Sequence, residues 1–325
     1  MRAVWYERTG AAREVLRTGE LPAAEPGPGE VRVRLHASAV NPADAKRRAG
    51  SFGMEFPLIV PNSDGAGIVE AVGPGADPSL LGRRVWLFNG QRGRALGTAA
   101  ECITLDGWLV APLPDDMDFA EGACLGIPCM TAHRNVFCDG PVEGKTVLVT
   151  GGAGAVGHYA VQWAKWGGAT VIATVSDGMK GMHARDGGAD HTIDYRNEDV
   201  AARVKEITGG AGADLVVEVD LARNLKSSTA ALKPGGTIAV YASTGDPERL
   251  FFTLALKCAA LRFMALFAVP RPEIDRIRAD MARFLASGTA IHRVAARFPL
   301  GECAAAHELV ESGDKIGTVV VEPQR

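Results

Sequence analysis

No stretch of this chain stays apolar for the roughly 20 residues that a bilayer-spanning helix requires. The most apolar segment, "FFTLALKCAALRFMALFAV" over 251–269, is interrupted by Lys257 and Arg262 and reads as buried core or as an interface. The opening "MRAVWYERTG" holds no apolar signal-peptide region. The six cysteines are scattered at 102, 124, 129, 138, 258 and 303, without a Cys-x-x-Cys pair. That spacing argues against a disulfide framework and predicts structural thiols in a reducing, cytoplasmic setting. Charge of one sign is lacking too: 35 Lys and Arg against 38 Asp and Glu leave a net charge of −3. A basic field for nucleic acid or an anionic membrane surface is therefore excluded. The sequence shows neither internal repeats nor low-complexity tracts.

What is there begins with length. The 325 residues give room for roughly two domains. The first 120 or so alternate short β segments with turns. "EVRVRLHASAV" sets Val31, Val33 and Leu35 on one face of a half-buried strand, and "GAGIVEAVG" and "RRVWLF" follow in the same style. Near Phe119 the pattern turns helical, with Pro128 predicted to kink or interrupt "DFAEGACLGIPCMTAHRNVF". From Lys145 to about Val240, β runs such as "TVLVT", "TVIATV" and "DLVVEV" alternate with helical runs, "NLKSSTAALKPGG" among them. That alternation predicts right-handed βαβ units and a parallel sheet. The tail returns to a mixture of helix and strand.

One turn stands out. In "TGGAGAVG", Gly152, Gly154 and Gly157 fit Gly-x-Gly-x-x-Gly between a predicted strand and a predicted helix. In that context the first glycine is expected to allow the tight turn and the second to let backbone approach a pyrophosphate. The third lets the helix lie close to the strand. Ala153, Ala155 and Val156 complete the turn, whose helix N-terminus offers N–H groups and partial positive charge to phosphates. Nineteen residues after Gly157 comes Ser176, followed by Asp177. A small hydroxyl residue leaves space for the 2′-phosphate of NADPH, with Lys180 supplying charge and Tyr195 and Arg196 as further partners. One register shift would instead make Asp177 the ribose acceptor of NADH. The reading favours NADPH, with NADH the less favoured alternative.

By these stretches, and by "PGPGEVRVRLHASAVNPADAKRRAG", "PNSDGAGIVEAVG", "GIPCMTAHR", "GADHTIDYR" and "LKPGGTIAVYAS", the chain resembles the zinc-free quinone oxidoreductases, the zeta-crystallin group of the medium-chain dehydrogenase/reductase superfamily. The resemblance covers essentially the full length. It implies an α/β fold in which a Rossmann doubly wound parallel-sheet domain is inserted into a GroES-like, mainly β catalytic domain. The expected boundaries are 1–122 for the first part of the GroES-like domain, 123–263 for the NADP-binding domain, and 264–325 for the return. The resemblance also implies a homodimer that pairs through the Rossmann sheet near 251–269.

Zinc-dependent relatives carry a catalytic Cys near the present Asn41 and Gly-His-Glu near the present Asn62-Ser63-Asp64-Gly65, and a cysteine-rich lobe between Phe88 and Cys102. None of those ligands is present in this sequence, so no metal is expected.

Residue by residue, the resemblance places Asn41 beside the nicotinamide, with Asp44 shaping the pocket. It assigns Thr131 to the nicotinamide ribose phosphate, and Ser176, Lys180 and Tyr195 to the 2′-phosphate. Ser243, Phe267 to Val269 and Gly317 fall at the nicotinamide end. Relatives often show tyrosines where this chain has Lys46 and Phe52. The lysine usual after the C-terminal glycine is Thr318, and Gly152 and Ala155 replace an alanine and a glycine. His133, two residues after Thr131, reads as a packing residue rather than a proton donor.

Without a Lewis acid, hydride reduction of a conjugated acceptor is easier than polarising an alcohol, because hydrogen-bond donors can stabilise the developing oxyanion. The expected activity is therefore zinc-independent, NADPH-dependent reduction of quinones or other conjugated carbonyls. The alternative is an enoyl-thioester or 2-alkenal reductase on the same fold. A third reading, nucleotide binding in a structural or RNA-binding role, is disfavoured by the net charge.

Overall fold

A computed structural model of the protein describes residues 1–246 and 251–324. The chain forms two compact units, Met1–Pro128 with His292–Arg325, and Cys129–Ile291.

The second unit is built on six parallel strands in the order His191–Asp194, Thr170–Val175, Thr146–Val149, Ala213–Glu218, Leu232–Val240, Ala260–Phe263. Helices connect the first five. This is the doubly wound Rossmann order, and it reverses direction beside Thr146–Val149, which makes the turn after that strand the place where ligands bind in such sheets. The inner strands are apolar because both faces are covered: Val147, Leu148, Val149, Val171, Ile172 and Val216 are fully buried. The helix Ala155–Trp166 is enclosed on more than one face, since Gly157 to Ala164 are all buried.

Three expectations need correction here. The helical run "NLKSSTAALKPGG" divides: the helix spans Leu221–Ala231, and Leu232 already belongs to a strand that pairs with Ala213. The segment 251–269 is core only in part: Leu266 is buried, and Leu254, Ala259 and Leu261 pack against the sheet core. It forms the helix Phe251–Leu256 and the edge strand Ala260–Phe263, with Phe252, Leu256 and Phe263 largely exposed. The helix Arg271–Ala286 belongs to the parallel-sheet unit rather than to the returning part. It packs Phe284 against Trp163 (ring centroids 4.3 Å apart, planes tilted by 36°) and presents Asp280 to His133 at 2.8 Å. The second boundary therefore falls after Ile291, and the first after Pro128.

The first unit is a seven-stranded sheet. Its path runs Val294–Pro299, Thr318–Glu322, Glu30–Val40, Asp64–Val72, Arg84–Leu87, Val110–Pro112, and Cys102–Asp106 also pairs with Glu30–Val40. Antiparallel pairing of Thr318–Glu322 with Glu30–Val40 joins the two ends of the chain in one sheet. Val31, Val33 and Leu35 are fully buried, as their alternation predicts. The helical stretch around Pro128 is interrupted as expected: Phe119–Ala123 and Met130–Val136 flank a wider turn in which Gly126 takes the non-helical pair φ −60°, ψ −117°.

Candidate cofactor and active site

The parallel-sheet unit gathers its predicted residues at the C-terminal ends of its strands. Thr150 to Gly157 follow the strand Thr146–Val149, Ser176 follows Thr170–Val175, and Tyr195 follows His191–Asp194. Ser243 follows Leu232–Val240, while Phe267 and Val269 follow Ala260–Phe263.

Within the turn, each glycine has its own reason. The left-handed backbone (φ +66°) belongs to Gly151, one residue before the glycine expected to make the turn. Gly152 is required by packing, because a Cβ there would meet Ala173 Cβ at 2.7 Å. A Cβ on Gly157 would meet the Gly151 carbonyl oxygen at 2.1 Å, so the close approach it permits is of the helix to the turn itself rather than to the strand. Gly154 is exposed and stands at the N-cap of the helix without a side-chain cap. Ala153 is buried beneath the turn, and Ala155 and Val156 are half-buried at the first helical positions. The first N–H groups of this helix have no intrahelical acceptor.

At the second strand end, buried Ser176 accepts a hydrogen bond from Lys180 Nζ at 3.0 Å and donates to Asp177 Oδ2 at 3.1 Å. Asp177 caps the helix Gly178–Asp186 by accepting from the Lys180 backbone N–H at 2.9 Å. That hydrogen bond is the main reason its carboxyl titrates below the usual range. Tyr195 is half exposed on the neighbouring strand end, and Arg196 beside it is exposed. Ser243 is exposed and accepts from the Ala222 N–H at 3.1 Å. Phe267 is exposed and Val269 half-buried. Thr131 is buried in the helix Met130–Val136, and its carbonyl accepts from Asn135 Nδ2. His133 is a core residue, packed against Phe137 and Trp163 and hydrogen-bonded to Asp280; burial lowers its pKa despite that carboxylate.

The sheet unit also contains a residue that sequence reasoning missed. Glu218 is fully buried at the end of the strand Ala213–Glu218. Its carboxylate accepts from Thr150 Oγ1 at 3.1 Å, the Asp220 N–H at 2.7 Å, Asn224 Nδ2 at 2.8 Å and Ser228 Oγ at 2.6 Å. It ties the start of the glycine-rich turn to the neighbouring strand. The signal was an acid, Glu218, set within the apolar end of the run "DLVVEV".

The β unit brings together Asn41 and Asp44, with Ser63 and Asp64 as unpredicted partners. Asn41 is the N-cap of the helix Pro42–Ala49, and its backbone N–H donates to Asp44 Oδ2 at 2.9 Å. Asp44 Oδ1 accepts from Ser63 Oγ at 2.9 Å. Asn41 Nδ2 donates to Asp64 Oδ2 at 2.7 Å, and so does the Ile127 N–H at 2.7 Å. Burial raises both carboxyl pKa values, that of Asp64 further because the charge of Asp44 adds to it. Lys46 and Phe52 are exposed. Gly317 stands at the same strand end as Asn41, since Val319 pairs with Val40. Its φ is +98°, and a Cβ there would meet the Arg293 carbonyl at 2.3 Å. Among the described residues no His, Cys, Asp or Glu cluster is arranged to hold a metal ion.

Comparison with known proteins places this geometry in a family. Residues 27–115 match the alcohol dehydrogenase GroES-like domain, and residues 155–285 match the domain described as zinc-binding dehydrogenase. The chain is 34% identical to a 2-haloacrylate reductase from a Burkholderia species, over 100% of this chain and 99% of that protein. It is 31% identical to a quinone oxidoreductase of Pseudomonas aeruginosa, over 95% of this chain and 96% of that one. The crystal structure of Escherichia coli quinone oxidoreductase complexed with NADPH superposes with a TM-score of 0.89 at 27% identity, covering 99% of this chain and 100% of that one. With two such domains, full-length relatives and the Rossmann strand order, the chain belongs to the zinc-free quinone oxidoreductase group of the medium-chain dehydrogenase/reductase superfamily.

Proposed function

We propose that this protein is an NADPH-dependent oxidoreductase that delivers a hydride to quinones or other conjugated carbonyl acceptors without a metal. The observation that carries the reading is the second strand end. There Ser176 and Lys180 form a small hydroxyl-and-ammonium pair, while the Asp177 carboxylate is occupied as a helix cap. A 2′-phosphate finds a cation at that position, whereas a ribose diol would need an acid that Asp177 has already committed. The uncapped N-terminus of the helix Ala155–Trp166 and the exposed Gly154 suit a pyrophosphate. NADPH, when bound there, supplies the hydride.

Tyr195 is assigned to the same phosphate, Thr131 to the ribose phosphate at the nicotinamide end, and Ser243, Phe267, Val269 and Gly317 to the nicotinamide surroundings. Asn41 is the candidate donor to the reacting carbonyl, held in place by Asp64 and by the helix that it caps. Lys46 is the candidate for an anionic group on the acceptor, and Phe52 for its apolar body. Protonation of the reduced acceptor is left to water, so rate enhancement rests on orientation and desolvation. The protein is further read as a cytoplasmic homodimer.

The relative that reduces haloacrylate keeps a second reading open, reduction of a conjugated carbon–carbon double bond. NADPH consumption across quinones, enones, 2-alkenals and enoyl thioesters, each with and without a chelator, decides between the two. Turnover that needs stoichiometric zinc, or that prefers NADH throughout, would sink the proposal.

A further inference from the structure

Asp44 and Asp64 are buried together in the β unit, and their hydrogen bonds differ in kind. Both oxygens of Asp44 accept, one from the Asn41 backbone N–H and one from Ser63 Oγ. Asp44 also sits in the first turn of the helix Pro42–Ala49, where the helix dipole favours an anion. Arg47, one turn on, adds positive charge. Asp64 uses a single oxygen: Oδ2 accepts from both Asn41 Nδ2 and the Ile127 N–H. Its Oδ1 is buried and lies within ordinary hydrogen-bond geometry of no partner. An ionised carboxylate calls for donors on both oxygens, and Oδ1 has none.

The surroundings agree. Asp64 is 0% exposed, and among the described residues no Lys, Arg or His lies within ion-pair distance of either carboxylate. The other ionisable groups facing Asp64 are Asp44 and the thiol of Cys124, neither of which stabilises a negative charge. Besides the Asn41 and Ile127 donors on Oδ2, the Asn89 backbone N–H adds a weaker support to the anion, and burial outweighs all three. A buried charge without a partner is costly, and such groups take up a proton instead. The chain has also shaped itself around this side chain, since a Cβ on Gly126 would meet Asp64 Oδ1 at 2.2 Å.

We propose that Asp64 is held as a neutral carboxylic acid, protonated on Oδ1, while Asp44 bears the single negative charge of the pair. Asp64 is then a positioning residue. Its Oδ2 fixes the orientation of the Asn41 carboxamide and the turn around Ile127, without a second buried anion behind the group assigned to the reacting carbonyl. This role in the reaction rests on the proposed function; the protonation state does not.

The proton is read directly by infrared spectroscopy of the purified protein at neutral pH. The expected result is a protonated-carboxyl C=O band that shifts in D2O, disappears in Asp64→Asn and persists in Asp44→Asn. No such band in the wild type, a band that survives Asp64→Asn, or one lost only in Asp44→Asn would each overturn the assignment. If Asp64→Asn fails to fold, the proposal also falls, because asparagine reproduces the neutral acid with its carbonyl at Oδ2. Turnover gives a second reading. The wild-type rate should decline on the alkaline side as Asp64 ionises, and Asp64→Asn should lack that decline whatever its absolute rate. An identical decline in both, with the infrared result as expected, would leave the proton in place but remove its link to the reaction. A protein inactive on every conjugated acceptor would defeat the proposed function and leave the infrared result standing.

Discussion

Lys180 Nζ donates to Ser176 Oγ over 3.0 Å, so the ammonium of one helical turn lies against the hydroxyl that closes the second strand. Lys180→Ala removes that charge and leaves the Asp177 cap, which uses the backbone, in place. NADPH binding should weaken by about 1.5–3 kcal/mol, the scale of a charge-assisted hydrogen bond, with little effect on NADH. Calorimetric titration of both nucleotides checks this. Equal losses for the two would remove Lys180 from the phosphate site.

The glycine-rich turn separates folding from binding. In Gly157→Ala the new methyl is driven into the Gly151 carbonyl at 2.1 Å, so the melting temperature should drop by an amount equivalent to about 1–3 kcal/mol. Gly154→Ala meets the same carbonyl at 3.3 Å, on an exposed N-cap. Its melting temperature should stay close to wild type while NADPH affinity falls. A fold that tolerates both substitutions, with binding intact, would contradict this division.

Acid stability should depend on His307. The ring is fully buried, with Nε2 3.0 Å from Asn62 Oδ1, and burial lowers its pKa to about 3, with Arg48 contributing. The unfolded chain takes up this proton below about pH 6.5, while the folded protein refuses it until about pH 3. Stability is therefore lost as pH falls through that window, by up to about 1.4 kcal/mol per pH unit. His307→Gln should show a smaller fall in melting temperature between about pH 7 and pH 5 than the wild type. Parallel curves would assign the acid limb elsewhere.

Lys46 is exposed on the helix that Asn41 caps. If it meets an anionic group of the acceptor, Lys46→Met should raise KM for carboxylated or phosphorylated acceptors and spare neutral quinones. A fall in kcat with unchanged NADPH affinity would move its action to the transition state. Unchanged kinetics on both classes would make it a solvated surface lysine.

The edge strand Ala260–Phe263 presents Phe263 at 71% exposure, beside Leu256 at 84% and Phe252 at 78%. An apolar open edge of this kind calls for a cover. Light scattering should give a homodimer at micromolar concentration, and Phe263→Asp should shift it toward monomer. A monomeric wild type would refute the interface reading.

Local patterns in the sequence settled much of this protein. Alternation at Val31, Val33 and Leu35, the strand–helix period from Lys145 to Val240, and the spacing of Gly152, Gly154 and Gly157 each depend on neighbours within a few residues. Ser176 and Lys180 were legible for the same reason, as a strand end and the first turn of its helix. Other features joined residues far apart in the chain, where no short-range pattern reaches. The exposure of Phe252, Leu256 and Phe263 followed from their place at the sheet edge, which depends on the order of all six strands. Glu218 gained its role from Thr150, 68 positions earlier, and the charge state inferred for Asp64 from Asn41 and Ile127, 23 and 63 positions away. Such assignments belong to tertiary structure, because a carboxylate's chemistry is set by the donors and charges that folding brings to it.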